Sequence, residues 1–248
     1  MKRIIILFIT VSFLLPSCKS YYTVNKTDGQ FYKINKKLDA SKSKKIESII
    51  APYKAQLDSK MNEVIGYAEY MNKQRPESTL GNWVADVIAE KATEISGKKI
   101  DFAVQNYGGL RIPEITKGPV TIGKIYELMP FQNFVAIITT KGTIIKQFFD
   151  RMAQYGGWPI SKNVKYKIIN DKAVDITING KPFDLNAEYT IALPDYIANG
   201  GDKCFFFKDQ KQYITEKLIR DVLIEAVKEA NAKGKPISSK IEGRVIEN

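Results

Sequence analysis

Two glycine pairs, Gly108-Gly109 and Gly200-Gly201, each lying just past a short apolar run, constrain this chain more than any other feature. The runs 100–105 and 189–193 read as buried strands, so both pairs sit in loops that close strands. Glycine there removes side-chain bulk and permits positive φ, which lets backbone amides approach a ligand closely. The loop Asn106-Tyr107-Gly108-Gly109-Leu110-Arg111 ends in a guanidinium able to grip an anion with two prongs. Ile197-Ala198-Asn199-Gly200-Gly201-Asp202 ends in a carboxylate able to accept from two hydroxyls. Taken singly, each loop is also an ordinary surface turn.

Helical and strand periodicities alternate along the rest. Residues 43–61 place Ile46, Ile49, Ile50, Tyr53 and Leu57 at three- and four-residue steps, an amphipathic helix with Pro52 as its weak point. A strand over 63–71 follows, with β-favouring Val64, Ile65 and Tyr67. Ser78 and Thr79 precede a helix carrying Trp83, Val84, Val87, Ile88 and Ala92 and ending near Gly97. Its first-turn amides suit an anion, and an ordinary N-cap explains the same residues. A turn over 116–119 and a short helix over 121–129 lead to Pro130-Phe131-Gln132-Asn133, where a fixed backbone presents a ring suited to core or ligand. Next come a strand over 134–140, a helix over 143–155 with Phe148 and Phe149 in its core face, strands over 164–169 and 174–178, and the Asn179-Gly180 hairpin. Phe205, Phe206 and Phe207 are expected to pack inward, 213–232 to form one long helix and 240–246 a closing strand. The order implies an α+β fold, a mixed β-sheet flanked by helices, in a single domain over 43–248.

The first residues set Lys2 and Arg3 before an apolar run from Ile4 to Leu15, then Leu15-Pro16-Ser17-Cys18. That order marks an export signal over 1–17, too short to span a membrane. A cysteine directly after a small residue resembles the lipobox of bacterial lipoproteins, in which the thiol is acylated and the chain is cut before it. Cys18 is then the lipid-bearing first residue of a protein anchored in the bacterial cell envelope; an ordinary secretory signal with an incidental cysteine is the other reading. Residues 18–42 read as a tether with a strand near 30–35. Acylated Cys18 leaves Cys204 without a disulfide partner. The net charge of +11 comes from scattered lysines, which favours a solvated basic surface over nucleic-acid binding.

Within the composition, the most decisive fact is the count of 0 histidines. One free cysteine without imidazole cannot assemble the usual transition-metal site, and imidazole-dependent activation of a nucleophile is excluded. The chain is expected to supply neither metal centre nor catalytic base.

Asn106-Tyr107-Gly108-Gly109-Leu110-Arg111, Pro130-Phe131-Gln132-Asn133 and Tyr196-Ile197-Ala198-Asn199-Gly200-Gly201-Asp202 resemble three motifs of the 5′-nucleotidase C-terminal domain, in the same order and at similar separations. Those motifs are Asn-x-Gly-Gly-Ile-Arg, Pro-Phe-Gly-Asn and Phe-x-Ala-x-Gly-Gly-Asp. The likeness runs over about 43–246 and takes in Gly157-Trp158-Pro159, Asn179-Gly180-Lys181-Pro182 and Glu242-Gly243-Arg244-Val245. It implies a domain that grips the nucleoside part of a nucleotide while a separate metallophosphoesterase domain with two metals cleaves the ester. Onto this chain it carries Phe131 and Tyr196 as rings enclosing the base, Asp202 as acceptor for the ribose hydroxyls, Asn133 at the base edge, and Asn106 and Arg111 toward the phosphate.

The chain departs from the family pattern in places. No arginine lies in 79–82, Tyr196 stands where phenylalanine is usual, and Lys203-Cys204 replaces glycine and an aromatic. The catalytic Asp-x-His and Gly-Asn-His-Asp signatures need histidine. The resemblance therefore implies the nucleoside- or nucleotide-binding subunit of a split 5′-nucleotidase. A separately encoded phosphoesterase bearing the divalent metals would dock beside helix 43–61. A membrane-anchored nucleotide- or nucleoside-binding lipoprotein without hydrolytic role is the alternative, and a scaffold with an empty pocket is a third.

Overall fold

The structure, a computed structural model, describes residues 22–31 and 43–247. The stretch read as an export signal, Cys18 and most of the stretch read as a tether lie outside the described residues. Of the strand expected near 30–35, Gln30 and Phe31 have no regular structure and the remainder lies outside. The chain groups into Met1–Ile49 and Ile50–Asn248. The described part of the first is the irregular stretch 22–31 and the opening of helix α1 (Lys44–Met61), which runs through Pro52 without a buried residue. Its Ile46, Ile49, Ile50, Tyr53 and Leu57 are all half exposed or more.

In chain order the second unit continues with β1 (Val64–Ala68), β2 (Met71–Asn72), α2 (Thr79–Ser96), β3 (Phe102–Ala103), β4 (Glu114–Ile115), β5 (Gly118–Thr121), α3 (Ile122–Leu128) and β6 (Phe134–Lys141). Then follow α4 (Gly142–Gln154), β7 (Val164–Ile169), β8 (Lys172–Ile178), β9 (Lys181–Pro182), β10 (Glu188–Pro194), α5 (Asp195–Ala198), β11 (Gln212–Leu218), α6 (Ile219–Ala232) and β12 (Val245–Glu247). The central sheet has the order β11-β6-β10-β3, and a second has the order β12-β7-β8-β9.

Alternation along the central strands explains the layering. Val135, Ile137, Ala192 and Ala103 face one core with α2, α3 and α6, while Ala136, Ile138, Ile191, Leu193 and Phe102 face another with α4 and the second sheet. The second core is aromatic, with Phe148 in edge contact with Trp158 and Phe207, and Phe149 with Tyr166. Helix ends follow local chemistry. Ser78 Oγ accepts from the Gly81 N–H at 3.0 Å to start α2, and Gly97 ends it in the left-handed region at φ 64°.

Several expectations are corrected. Residues 213–232 are not one helix: Tyr213 and Ile214 pair with Ile137 and Ala136 of β6, and helix begins only at Ile219. The spacing of Ile214, Leu218 and Val222 mimics a helical stripe, but the ladder to β6 wins. Gly118 and Pro119 are not turn residues; they pair with Ala68 and Tyr67 of β1, in a two-stranded sheet whose edge tolerates the missing proline N–H. The strand over 63–71 is broken into β1 and β2. Phe205 does not pack inward. It is 61% exposed, whereas Phe207 is fully buried. Phe206 is partly buried and packs against Phe148 and Phe207, so only Phe205 departs from the expectation: in a 3₁₀ turn successive side chains point about 120° apart, and one of three is left facing out.

Candidate functional site

The central sheet brings the three motif loops to one end. β10 runs parallel to β3 and antiparallel to β6, with Ala192 opposite Ala103 and Pro194 opposite Val135. The carboxyl ends of β3 and β10 and the start of β6 therefore share an edge, and 105–111, 195–204 and 130–133 leave the sheet there. β11 is also antiparallel to β6 and ends at the same place, Leu218 opposite Phe134.

These loops enclose a cleft of about 400 Å³ lined by Asn106, Gly108, Gly109, Arg111, Phe131, Asn133, Tyr196 and Asp202. All of these belong to the three motifs, which lie far apart in sequence. Gly200 and Gly201, the other glycine pair, do not line it. Phe131 and Tyr196 expose 41% and 47% of their surface, unlike the core aromatics.

Asn106 is buried, and its Nδ2 donates to Asp202 Oδ2 at 2.8 Å. Gln105 Nε2 donates to Asn106 Oδ1 at 2.8 Å and so sets that amide's orientation. The Tyr196 hydroxyl donates to Asp202 Oδ1 at 3.1 Å. The Asp202 N–H pulls the phenol's pKa down, but burial and the Asp202 charge outweigh it and raise the value above that of ordinary tyrosine. Arg111 Nη1 donates to the Gly108 carbonyl at 3.3 Å, and its guanidinium lies 5.8 Å from the Phe131 ring centre.

The glycines differ in what they do. Of the four, Gly200 alone has positive φ, 91°, and beyond Gly201 the left-handed region recurs at Asp202, 48°, and Lys203, 64°. Gly201 is needed for space: a Cβ there would lie 2.5 Å from Tyr196 Cε1. A Cβ on Gly109 would strike Gln105 Nε2, while one on Gly108 would meet nothing within 4 Å.

Sequence reasoning missed the residues around this frame. Lys73 Nζ and the Arg75 guanidinium each lie 4.0 Å from the Tyr107 ring centre. Burial, with the charges of Arg111 and Arg75, holds the Lys73 ammonium below the usual lysine value. A cationic rim thus continues from Arg111, its signal being the Lys73-Gln74-Arg75 stretch. Buried Arg220 lies 4.1 Å from the Tyr126 ring centre, and its Nη1 donates to the Phe131 carbonyl at 3.5 Å. The Ile219 N–H donates to the Asn133 carbonyl at 2.8 Å. Only tertiary structure discloses that the β11–α6 junction holds this loop. Among the described residues no group of three or more histidine, cysteine, aspartate or glutamate side chains converges as a metal site.

The chain is 28% identical over 221 residues to the trifunctional nucleotide phosphoesterase protein YfkN of Bacillus subtilis, which covers 79% of this chain and 14% of that protein. It is 26% identical over 187 residues to a 5′-nucleotidase of Vibrio parahaemolyticus, covering 71% of this chain and 32% of that one. The crystal structure of a 5′-nucleotidase precursor from Thermus thermophilus superposes with a TM-score of 0.69 at 26% identity, over 81% of this chain and 42% of that chain. The chain thus spans less than half the length of each of these relatives. The family model for the 5′-nucleotidase C-terminal domain matches residues 56–209, more than half the chain, and the chain belongs to that family.

Proposed function

We propose that this chain is the nucleoside- or nucleotide-binding subunit of a split 5′-nucleotidase, working with a separately encoded dimetal phosphoesterase. The observation that carries the reading is the single cleft made from three separated motifs, with two half-exposed rings, a carboxylate and a guanidinium on its walls. A base stacked on Phe131 and Tyr196 gains roughly 1–3 kcal/mol per ring. Asn133 bonds the base edge. Asp202 accepts the sugar hydroxyls and so rejects analogues that lack them. Asn106 and Arg111 face the phosphate, with Lys73 and Arg75 adding positive charge behind.

The partner phosphoesterase would hold the divalent metals, whose chemistry would be to polarise the ester and activate water. Among the described residues of this chain no donor set for such metals converges. The exposed apolar side chains of α1 offer the partner a docking face. Acylated Cys18 anchors the domain outside the cytoplasm; a relative from Listeria monocytogenes, 23% identical, is described as a cell wall protein. Among the described residues no helix is long and apolar enough to cross a membrane.

Mixing the purified chain with each encoded candidate phosphoesterase and AMP is expected to raise phosphate release above that of the phosphoesterase alone. No gain with any candidate rejects the split enzyme. Nucleoside binding by calorimetry together with no co-purifying phosphoesterase would instead favour a tethered binding protein.

A further inference from the structure

The Tyr196 hydroxyl is engaged from two sides. It donates to Asp202 Oδ1 at 3.1 Å and accepts from the Asp202 N–H at 3.3 Å. The ring lies against Gly201, where a Cβ would fall 2.5 Å from Cε1 and 2.6 Å from Cζ. Asp202 is also held from its far side by Asn106, itself oriented by Gln105. A hydrogen-bonded chain therefore runs Gln105, Asn106, Asp202, Tyr196, from the end of β3 to α5. Phenylalanine at 196 would keep the wall and lose the tie. Phe131, on the facing loop, has no polar tip, and its loop is held through backbone carbonyls.

Resting on the nucleoside reading above, we propose that the Tyr196 hydroxyl is a positioning group: it ties an aromatic wall to the Asp202 carboxylate, so that the surface for a flat base and the acceptor for a sugar's vicinal hydroxyls are held as one unit. The ligand class this unit suits is a ribonucleoside with both hydroxyls free. Preorganisation of this kind raises affinity because ring and carboxylate need not be ordered at binding. The hydroxyl acts on the protein, so its loss is felt even by a ligand without sugar hydroxyls.

Calorimetry on wild type and Tyr196→Phe with adenosine and with 2′,3′-dideoxyadenosine tests this. Loss of the two hydrogen bonds is expected to weaken adenosine by roughly five- to tenfold, and dideoxyadenosine by at least about twofold. Weakening of adenosine alone makes the hydroxyl a direct sugar contact, strengthening of adenosine makes it a competitor for Asp202, and no change makes it a bystander; each overturns the proposal. A readout without ligand keeps the tie separable from the nucleoside reading. By carbon-13 tyrosine NMR, with the resonance assigned by Tyr196→Phe, the Tyr196 phenol should titrate above ordinary tyrosine and move down in Asp202→Asn. An unmoved titration overturns the tie. Failure of the wild-type protein to bind any nucleoside overturns the binding reading, while the NMR result still decides the tie.

Discussion

Gly108 and Gly201 respond in opposite ways when each is given a methyl group. At Gly108 the added Cβ meets nothing within 4 Å, so Gly108→Ala should change unfolding free energy by less than about 0.5 kcal/mol. At Gly201 it collides with both the Tyr196 ring and the Tyr196 carbonyl oxygen, each at 2.5 Å. Gly201→Ala should cost about 1–3 kcal/mol in urea denaturation, as overpacked sites do. Phe131 has the opposite character, being exposed at the rim with few packing duties. Phe131→Ala should lower adenosine affinity about tenfold or more by calorimetry while leaving the melting temperature nearly unchanged. The motif residues were legible in the sequence because three motifs, each ordinary when taken singly, occur in one order and at separations that resemble a known family. The division of labour within the glycine pairs was not, since φ and free space at Cβ depend on what packs beside them.

At the scale of elements, the carboxyl-terminal strand is clamped to α2 by charge. Arg244 is 1% exposed and pairs through Nη2 with Asp86 Oδ2 and Glu242 Oε2, both at 2.7 Å, while its Nη1 donates to the Ile160 carbonyl at 2.8 Å. Glu77, also buried, accepts from the Glu242 and Arg244 N–H groups and from Asn82 Nδ2. Arg244→Met should destabilise the fold by about 3 kcal/mol, because it leaves Asp86 and Glu242 unpaired and the Ile160 carbonyl without its donor. Partial exposure of both carboxylates keeps the cost at the low end for a broken buried pair. The measurement is a urea titration. Helices with caps, such as α2, were readable locally. β11 was misread because its partner β6 lies over 70 residues earlier, and a backbone ladder outranks the side-chain spacing that Ile214, Leu218 and Val222 share with a helix.

For the whole molecule, Cys204 is a reporter of unfolding. Its side chain is fully buried, and burial pushes the thiol's pKa up to about 12. In a Cys18→Ser background, thiol reagents at pH 8 should label native protein only as fast as the chain opens; prompt labelling would contradict the burial. The pH dependence has a definite sign. Between the unfolded thiol value and about 12, the unfolded chain has lost the proton and the folded chain keeps it, so stability falls as pH rises. That slope is about 1.4 kcal/mol per pH unit for this one group, and Cys204→Ala should remove it from the measured curve. By itself, the amino-acid order determined the family, the strand-closing glycine loops and the absence of imidazole chemistry, because these rest on residue identity and short spacing. The tertiary structure decided which strand ends bring the three loops together, and it alone disclosed that Tyr196 is tied to Asp202 and that Lys73, Arg75 and Arg220 lie against the motif loops or their neighbours. Those relations come from strand direction and register across the central sheet, which join residues about 100 positions apart and leave no local trace.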